Sequence, residues 1–261
     1  MTVDHYAGAA RGWAEGAALV YGPIVQALVG MSPHALAGRL VLDLGSGTGI
    51  AEGALSEAGA RSVAVDLSVD MLTWNAPTRP PGVVADVRRL PLADRCVDDA
   101  VAAFVFNHLT DPERGLAEAV RVTRTGGALL ACVYANSSRS EVRDALDEAA
   151  GEQGWIAPNW YVALKEVAVP ILGTAEAMAA AAVAAGLDPV AVEERAVDVG
   201  VTTAEQLVDY RLGQAHYAGW LTGMDAARAR QVKTELADRI RPIMQPYQPT
   251  VVFLSSCVPV A

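Results

Sequence analysis

Three aspartates close three successive apolar runs: Asp43 in "VLDLG", Asp66 in "SVAVD" and Asp86 in "GVVAD". A turn carrying Gly45, Gly47 and Gly49 follows the first of them. Glycine lets a backbone bend tightly and approach a ligand without side-chain clash. Such turns often cradle phosphate, but a carboxylate two residues upstream would repel it. Ile50 stands where a dinucleotide-binding fingerprint has its third glycine, and Asp43 where that fingerprint keeps an apolar residue. A merely tight strand-to-helix turn would account for the glycines, but not for the three acids. Carboxylates accept hydrogen bonds from a cationic amine, from a ribose diol and from an exocyclic amine. The chemistry expected is recognition of a nucleoside that bears a cation and no phosphate.

The elements that must hold these acids can be read from the spacing of apolar residues. Short apolar runs at 40–44, 62–66, 83–85, 99–105 and 128–134 alternate with amphipathic segments at 49–58, 69–75 and 112–124. Strand alternating with helix implies parallel strands joined by crossovers, and hence a doubly wound α/β sheet. The runs at 187–201 and 250–260 read as the last two of seven strands, with helices expected at 203–221 and 225–244. Residues 6–30 read as helices, with Tyr6, Ala10, Trp13, Ala17 and Val20 on one face. Ser32-Pro33 reads as a cap with proline at the first helical position. Ser138 and Glu141 form a candidate capping box for a helix reaching about residue 150. Residues 1–30, 136–172 and 202–247 together are expected to form a helical lid over one end of the sheet.

Composition removes several classes of function. The chain has 261 residues, 52% of them hydrophobic, and a net charge of −10 with no basic run, so nucleic acid is not an expected partner. Cys96, Cys132 and Cys257 are spaced for neither zinc nor a redox pair, so no metal is expected and the thiols read as reduced. The N-terminus lacks a charged-then-apolar pattern, and the alanine-rich segment 175–187 is too short to span a bilayer. A cytoplasmic protein without membrane contact, monomeric or homo-oligomeric, is the expectation.

The ordered set "VLDLGSGTG", "VAVDLSVDML", "ADVRRLPLADRCVDDAVAAF" and "NHLTDPERGLAEAVRVTRTGGAL" resembles the class I S-adenosylmethionine-dependent methyltransferases over residues 40–134. The resemblance implies a Rossmann-like methyltransferase fold and S-adenosylmethionine as cofactor. It places Asp43, Gly45, Ser46, Gly47 and Gly49 at the methionine end and Asp66 on the ribose hydroxyls. Leu67 and Met71 would flank the adenine, Asp86 would accept from its amino group with Val87 nearby, and Ala103 and Phe104 would touch the methionine portion. Val97 and Thr125 depart from the usual aromatic residue and proline at those places, which concerns packing and turn shape.

Methyl transfer asks mainly for alignment and desolvation, and for a base only where the acceptor loses a proton. His108, in "FNHL", is a candidate base, or else orders its loop through hydrogen bonds. In "VDYRLGQAHYAGWL", His216 shares a helical face with Leu212 and Trp220, and Tyr210, Gln214 and Tyr217 share an adjoining one beside Arg211. That helix either faces a substrate or packs its aromatics on the core, as expected for Trp220. Tyr21, expected to end a helix before Pro23, either closes over the sulfonium or packs in the core. His5 and His34 carry no expected role. The segments "ILGTAEAMAAAAVAAGL", "VTTAEQLVDYRLGQAHYA" and "IMQPYQPTVVFL" also resemble methyltransferases of bacterial specialised metabolism. That likeness implies a small aromatic, indolic, polyketide or peptide-derived acceptor, which Trp155, Trp160, Tyr161, Tyr210, Tyr217 and Trp220 would suit. The alternative is a cyclase or rearrangement catalyst of the same fold that binds the cofactor and transfers no methyl.

Overall fold

The computed structural model describes residues 4–260. The first three residues of the expected N-terminal lid segment, and residue 261, lie outside the described residues. Seven strands form one sheet: β1 (Leu40–Leu44), β2 (Arg61–Asp66), β3 (Gly82–Val84), β4 (Asp99–Ala103), β5 (Ala128–Tyr134), β6 (Asp188–Ala196) and β7 (Thr250–Cys257). Their order is β3-β2-β1-β4-β5-β7-β6, and β7 runs antiparallel to both of its neighbours. The first five strands are parallel. Strand order reverses between β1 and β4, which opens a crevice at their carboxyl ends.

Central β4 and β5 are buried almost throughout because helices cover both faces of the sheet. Alternate residues of a strand enter opposite layers. Val41 packs with the helix Ala18–Val29, whereas Leu42 and Leu44 pack with Leu116 and Met178 from helices on the other side. Edge strand β6 is mostly exposed and carries Glu193, Glu194 and Arg195, charges that discourage edge-to-edge pairing.

Several local expectations need correction. Pro23 lies inside the helix Ala18–Val29 rather than at the start of a new one. A proline there forfeits a bond to the carbonyl of Leu19, and Leu19 lies on the exposed side of the helix. No helix follows Pro33; residues 30–39 form turns in which the Ser32 hydroxyl donates to the His34 carbonyl. The helix Glu141–Glu152 is capped by Ser140, whose Oγ accepts from the Arg143 amide, while Ser138 accepts from the Thr250 amide. The expected helix over 203–221 is two helices, Ala204–Leu212 and Ala215–Thr222, and the expected helix over 225–244 is Ala226–Ile240 followed by a short 3-10 turn.

The break at Gly213 has a steric cause. The N-terminal helical run, Ala10–Gly12, passes through a π-turn at Trp13–Ala17 and packs backbone to backbone on Ala204–Leu212. A Cβ on Gly213 would lie 2.4 Å from the Gly12 carbonyl oxygen, and one on Gly16 would lie 2.2 Å from that of Asp209. This contact fixes where Trp13 and Tyr21 point. Among the described residues, no single helix is long and apolar enough to cross a membrane, and the three cysteines are free.

Candidate active site

A cavity of about 470 Å³ opens at the carboxyl ends of β1, β2 and β4. Gly45, Ser46, Gly47, Asp66, Leu67, Met71, Asp86, Val87, Ala103 and Phe104, all expected at the cofactor, line it. Gly45 has φ +65° and Val105 packs against it so closely that a Cβ would lie 2.6 Å away. No other residue fits there without displacing Val105.

Asp66 organises the turn. Its Oδ2 accepts from the Gly47 amide and its Oδ1 from the Ser68 amide, both at 2.8 Å. Burial raises its pKa, and the amide hydrogen bonds partly offset that rise. Ser68 in turn caps the helix Val69–Thr73, from which Asp70 accepts the amides of Gly8 and Ala10. The N-terminal run is thereby tied to the cavity rim.

Two expected residues stand behind the wall rather than on it. Asp43 is 2% exposed, and its Oδ2 has no partner among the described residues. Burial, reinforced by the like charge of Glu52 and opposed by Arg79, pushes its pKa up to about 7. Gly49 faces Glu52, whose Oε1 would lie 2.4 Å from an added Cβ. Asp86 is on the wall, but Arg88 already engages both its oxygens, with Nη2 at 2.7 Å from Oδ2. An amine arriving from a ligand would share that carboxylate.

Sequence reasoning missed Arg79. Its side chain is 4% exposed; it pairs with Glu52 at 2.7 Å and donates to the carbonyls of Gly47 and Met71. Nothing in "TRPPG" signals a clamp on a turn thirty residues upstream. His5 was also given no role, yet it lines the cavity and stacks on Trp160 with centroids 4.8 Å apart. Asp4, Tyr6, Trp13 and Asn107 join it on the wall; for Tyr6 and Trp13 the only signal was their shared helical face.

Aromatic rings form the junction with a second chamber of about 420 Å³. Trp13 stacks on Tyr21 at 4.8 Å, and Tyr21 meets the edge of Phe104 at the same distance. Phe104 adopts φ +56°, a left-handed conformation that a bulky residue holds only under constraint from its surroundings. His108 lines both chambers, with its Nε2 3.3 Å from the Tyr6 hydroxyl, and burial depresses its pKa to about 4. Tyr21 and Trp160 also face both spaces.

His216, Tyr161, Tyr210 and Gln214 line the second chamber. His216 stacks on Tyr161 at 3.7 Å, and burial together with the charges of Arg211 and Lys165 lowers its pKa to about 2. Gln214 donates to the Tyr21 hydroxyl at 3.1 Å, and the Tyr134 and Tyr210 hydroxyls meet at 3.0 Å. Tyr217 is fully buried and off the wall; its hydroxyl donates to Asp147 at 2.6 Å. Trp220 packs against the core. His34 lines neither chamber and bonds Asp99 at 2.8 Å.

Residues 42–131 match the methyltransferase domain family. Demethylmenaquinone methyltransferase of Mycolicibacterium paratuberculosis is 40% identical over 103 residues, which cover 40% of this chain and 45% of that protein. The match thus spans less than half the length of that curated relative. Among solved structures, the [4+2]-cyclase SpnF aligns with TM-score 0.58 at 18% identity, covering 92% of this chain and 81% of its own. Haemonchus contortus phosphoethanolamine N-methyltransferase 2, solved with S-adenosylhomocysteine, aligns with TM-score 0.57 at 17% identity, covering 91% of this chain and 52% of its own. Strand order, the glycine turn and the matched segment agree: residues 42–131 are similar to the methyltransferase domain family, and the sheet is the Rossmann-like α/β fold of these solved neighbours.

Proposed function

We propose that this protein transfers a methyl group from S-adenosylmethionine to a small aromatic or heterocyclic acceptor. The observation that carries the reading is a set of buried polar atoms left without partners around the glycine turn. Trp13 Nε1, Ser46 Oγ and Asn107 Oδ1, all on residues of the cavity wall, are orphaned among the described residues. Orphaned buried groups are costly unless something completes them. The indole N–H and the serine hydroxyl suit a carboxylate, and the Asn107 oxygen suits an ammonium, which together make an amino-acid end. Asp66 offers about four lone-pair positions and the protein uses two, leaving room for a ribose diol. The residues present therefore fit S-adenosylmethionine, whose chemistry when bound is an electrophilic methyl on a sulfonium.

The chain's own part is alignment, exclusion of water and handling of a proton. The N-terminal segment, a turn at 5–8 followed by helix from Ala10 rather than helix from residue 6, acts with the largely helical segments 136–172 and 202–247 as the lid, bringing Tyr6, Trp13, Trp160 and Tyr161 over the strand ends. Tyr21 and Phe104 bring aromatic rings to the junction, whose faces are favourable to a cation. His108 is neutral above about pH 4 and can accept a proton through the nitrogen that now faces Tyr6. His216 is too weakly basic to compete with it and instead forms, with Tyr161, a flat wall for the acceptor. The likeness to the demethylmenaquinone methyltransferase covers 40% of this chain and 45% of that protein, so its acceptor does not transfer with it.

Calorimetry with S-adenosylmethionine and with a pyridine dinucleotide tests the cofactor: the first saturates the protein and the second gives no heat. Incubation with aromatic acceptors then yields products heavier by one methyl. The likeness to SpnF supports a second reading, a cyclisation without methyl transfer. Conversion of an acceptor with no S-adenosylhomocysteine released would select it.

A further inference from the structure

The second chamber is basic in an acidic protein. Arg139, Arg143, Lys165 and Arg211 line it, and no aspartate or glutamate does. The chain holds 30 acidic and 20 basic residues, and Lys165 is one of its two lysines. None of the four cations lines the first cavity.

Their charges are not equally available. Arg211 is satisfied by Asp147, with Nη2 2.5 Å from Oδ2, and by Gln214. Among the described residues Arg143 pairs only with the exposed Asp144, through one contact at 3.2 Å. Arg139 and Lys165 make no ion pair among the described residues. Lys165 titrates low because it is desolvated and then because Arg143, Arg211 and Arg139 all repel its charge. Asp147 pulls the other way on Lys165 but ranks below the three arginines, and cations that converge with so little counter-charge are an arrangement that an incoming anion relieves.

We infer that the acceptor carries an anionic group, a carboxylate or phosphate, which Arg143 and Lys165 hold in the part of the second chamber that the cofactor cleft does not share. This rests on the proposed function for the chamber's role as acceptor site. The two cations come from different elements, Arg143 from the helix Glu141–Glu152 and Lys165 from the π-turn Leu164–Ala168. An anion bridging them would also draw those segments together over the aromatic walls.

The test is calorimetry on the full chain saturated with S-adenosylhomocysteine, using naphthoate, naphthyl phosphate and the neutral naphthamide as probes. At least one anion binds about tenfold more tightly than the amide, as a charge-assisted bond requires, and the stronger anion identifies the carboxylate or phosphate source. Arg143→Gln and Lys165→Gln each erase most of that preference while S-adenosylhomocysteine binds as before. The inference is overturned if the amide binds as well as both anions, if neither anion gives heat at millimolar concentration, or if both variants keep the preference. Should S-adenosylhomocysteine fail to bind while the anion preference and its loss in the variants persist, the proposed function falls and the anion site stands.

Discussion

The two chambers carry opposite charge on either side of an aromatic junction. Asp4, Asp66 and Asp86 line the first, and its one arginine, Arg88, is engaged with Asp86 and Asp111. Arginines and a lysine line the second without any acid. Between them lie Tyr21, Trp13, Tyr134 and a histidine that burial keeps neutral. A cation and an anion would each be held by its own wall, with the aromatic junction between them. The separation teaches that net charge says little about a site: an overall −10 gives no hint of two walls of opposite sign.

The sharpest way to break this contrast is at Asp147. It neutralises Arg211 and accepts from Tyr217, so Asp147→Asn leaves a buried guanidinium, 4% exposed, without its counter-charge. Stability should fall by about 3 kcal/mol, the cost of breaking a buried pair from one side, and urea denaturation measures it. A loss near zero would show that water already screens Arg211, and that the second chamber is wet rather than basic.

Next in size is Asp66→Ala. It removes the acceptor of two amides and the proposed ribose ligand, and should weaken S-adenosylmethionine binding about a hundredfold. Unchanged affinity would sever the first chamber from the cofactor.

The histidines report how dry the junction and second chamber are. An ordinary histidine titrates at 6.5, His108 at about 4 and His216 at about 2. Between 6.5 and these lower values the unfolded chain binds protons that the folded chain refuses. Stability therefore falls as pH drops through that window, by up to about 1.4 kcal/mol per pH unit for each histidine. Asp43 acts with the opposite sign: its folded pKa of about 7 exceeds the ordinary 3.8, so between those values acid favours the folded state. Replacing His216 by Phe should preserve the stack on Tyr161 and flatten the acid slope by one histidine's share. An unchanged slope in denaturation series from pH 6.5 to 4 would mean that His216 is hydrated.

The first chamber was legible in the sequence because its parts are local. Each acid sits at the end of an apolar run, and β1 occupies the residues its pattern marked. The glycine turn announces itself within five residues. The second chamber was not legible, since its cations are scattered over seventy residues of an acid-rich chain and only the packing brings them together. The Asp147–Arg211 pair joins residues 64 apart, and Arg79 reaches the turn from a loop of no recognisable pattern. The packing behind the break at Gly213 was hidden for a related reason: a glycine is a poor helix former anywhere, but its close contact is with Gly12, 201 residues away. Ser140 outcompetes Ser138 as a cap because β7 claims the Ser138 hydroxyl.

The smallest predicted effect separates binding from stability. Trp13 lines both chambers, stacks on Tyr21, and buries an indole N–H with no partner among the described residues. Its Nε1 lies 3.7 Å from where a Cβ on Gly47 would be, so it points toward the glycine turn. Trp13→Phe keeps a ring for the stack and removes only the donor and one fused ring. If that N–H waits for the cofactor's carboxylate, S-adenosylmethionine binding should weaken about fivefold, the worth of one hydrogen bond of roughly 1 kcal/mol. The free protein should lose little stability, since an unsatisfied donor disappears together with some packing area. Affinity and melting temperature thus respond differently, which a general loosening of the N-terminal run would not produce. A variant that binds S-adenosylmethionine as tightly as the parent would assign Trp13 to the junction's packing and leave the carboxylate to Ser46.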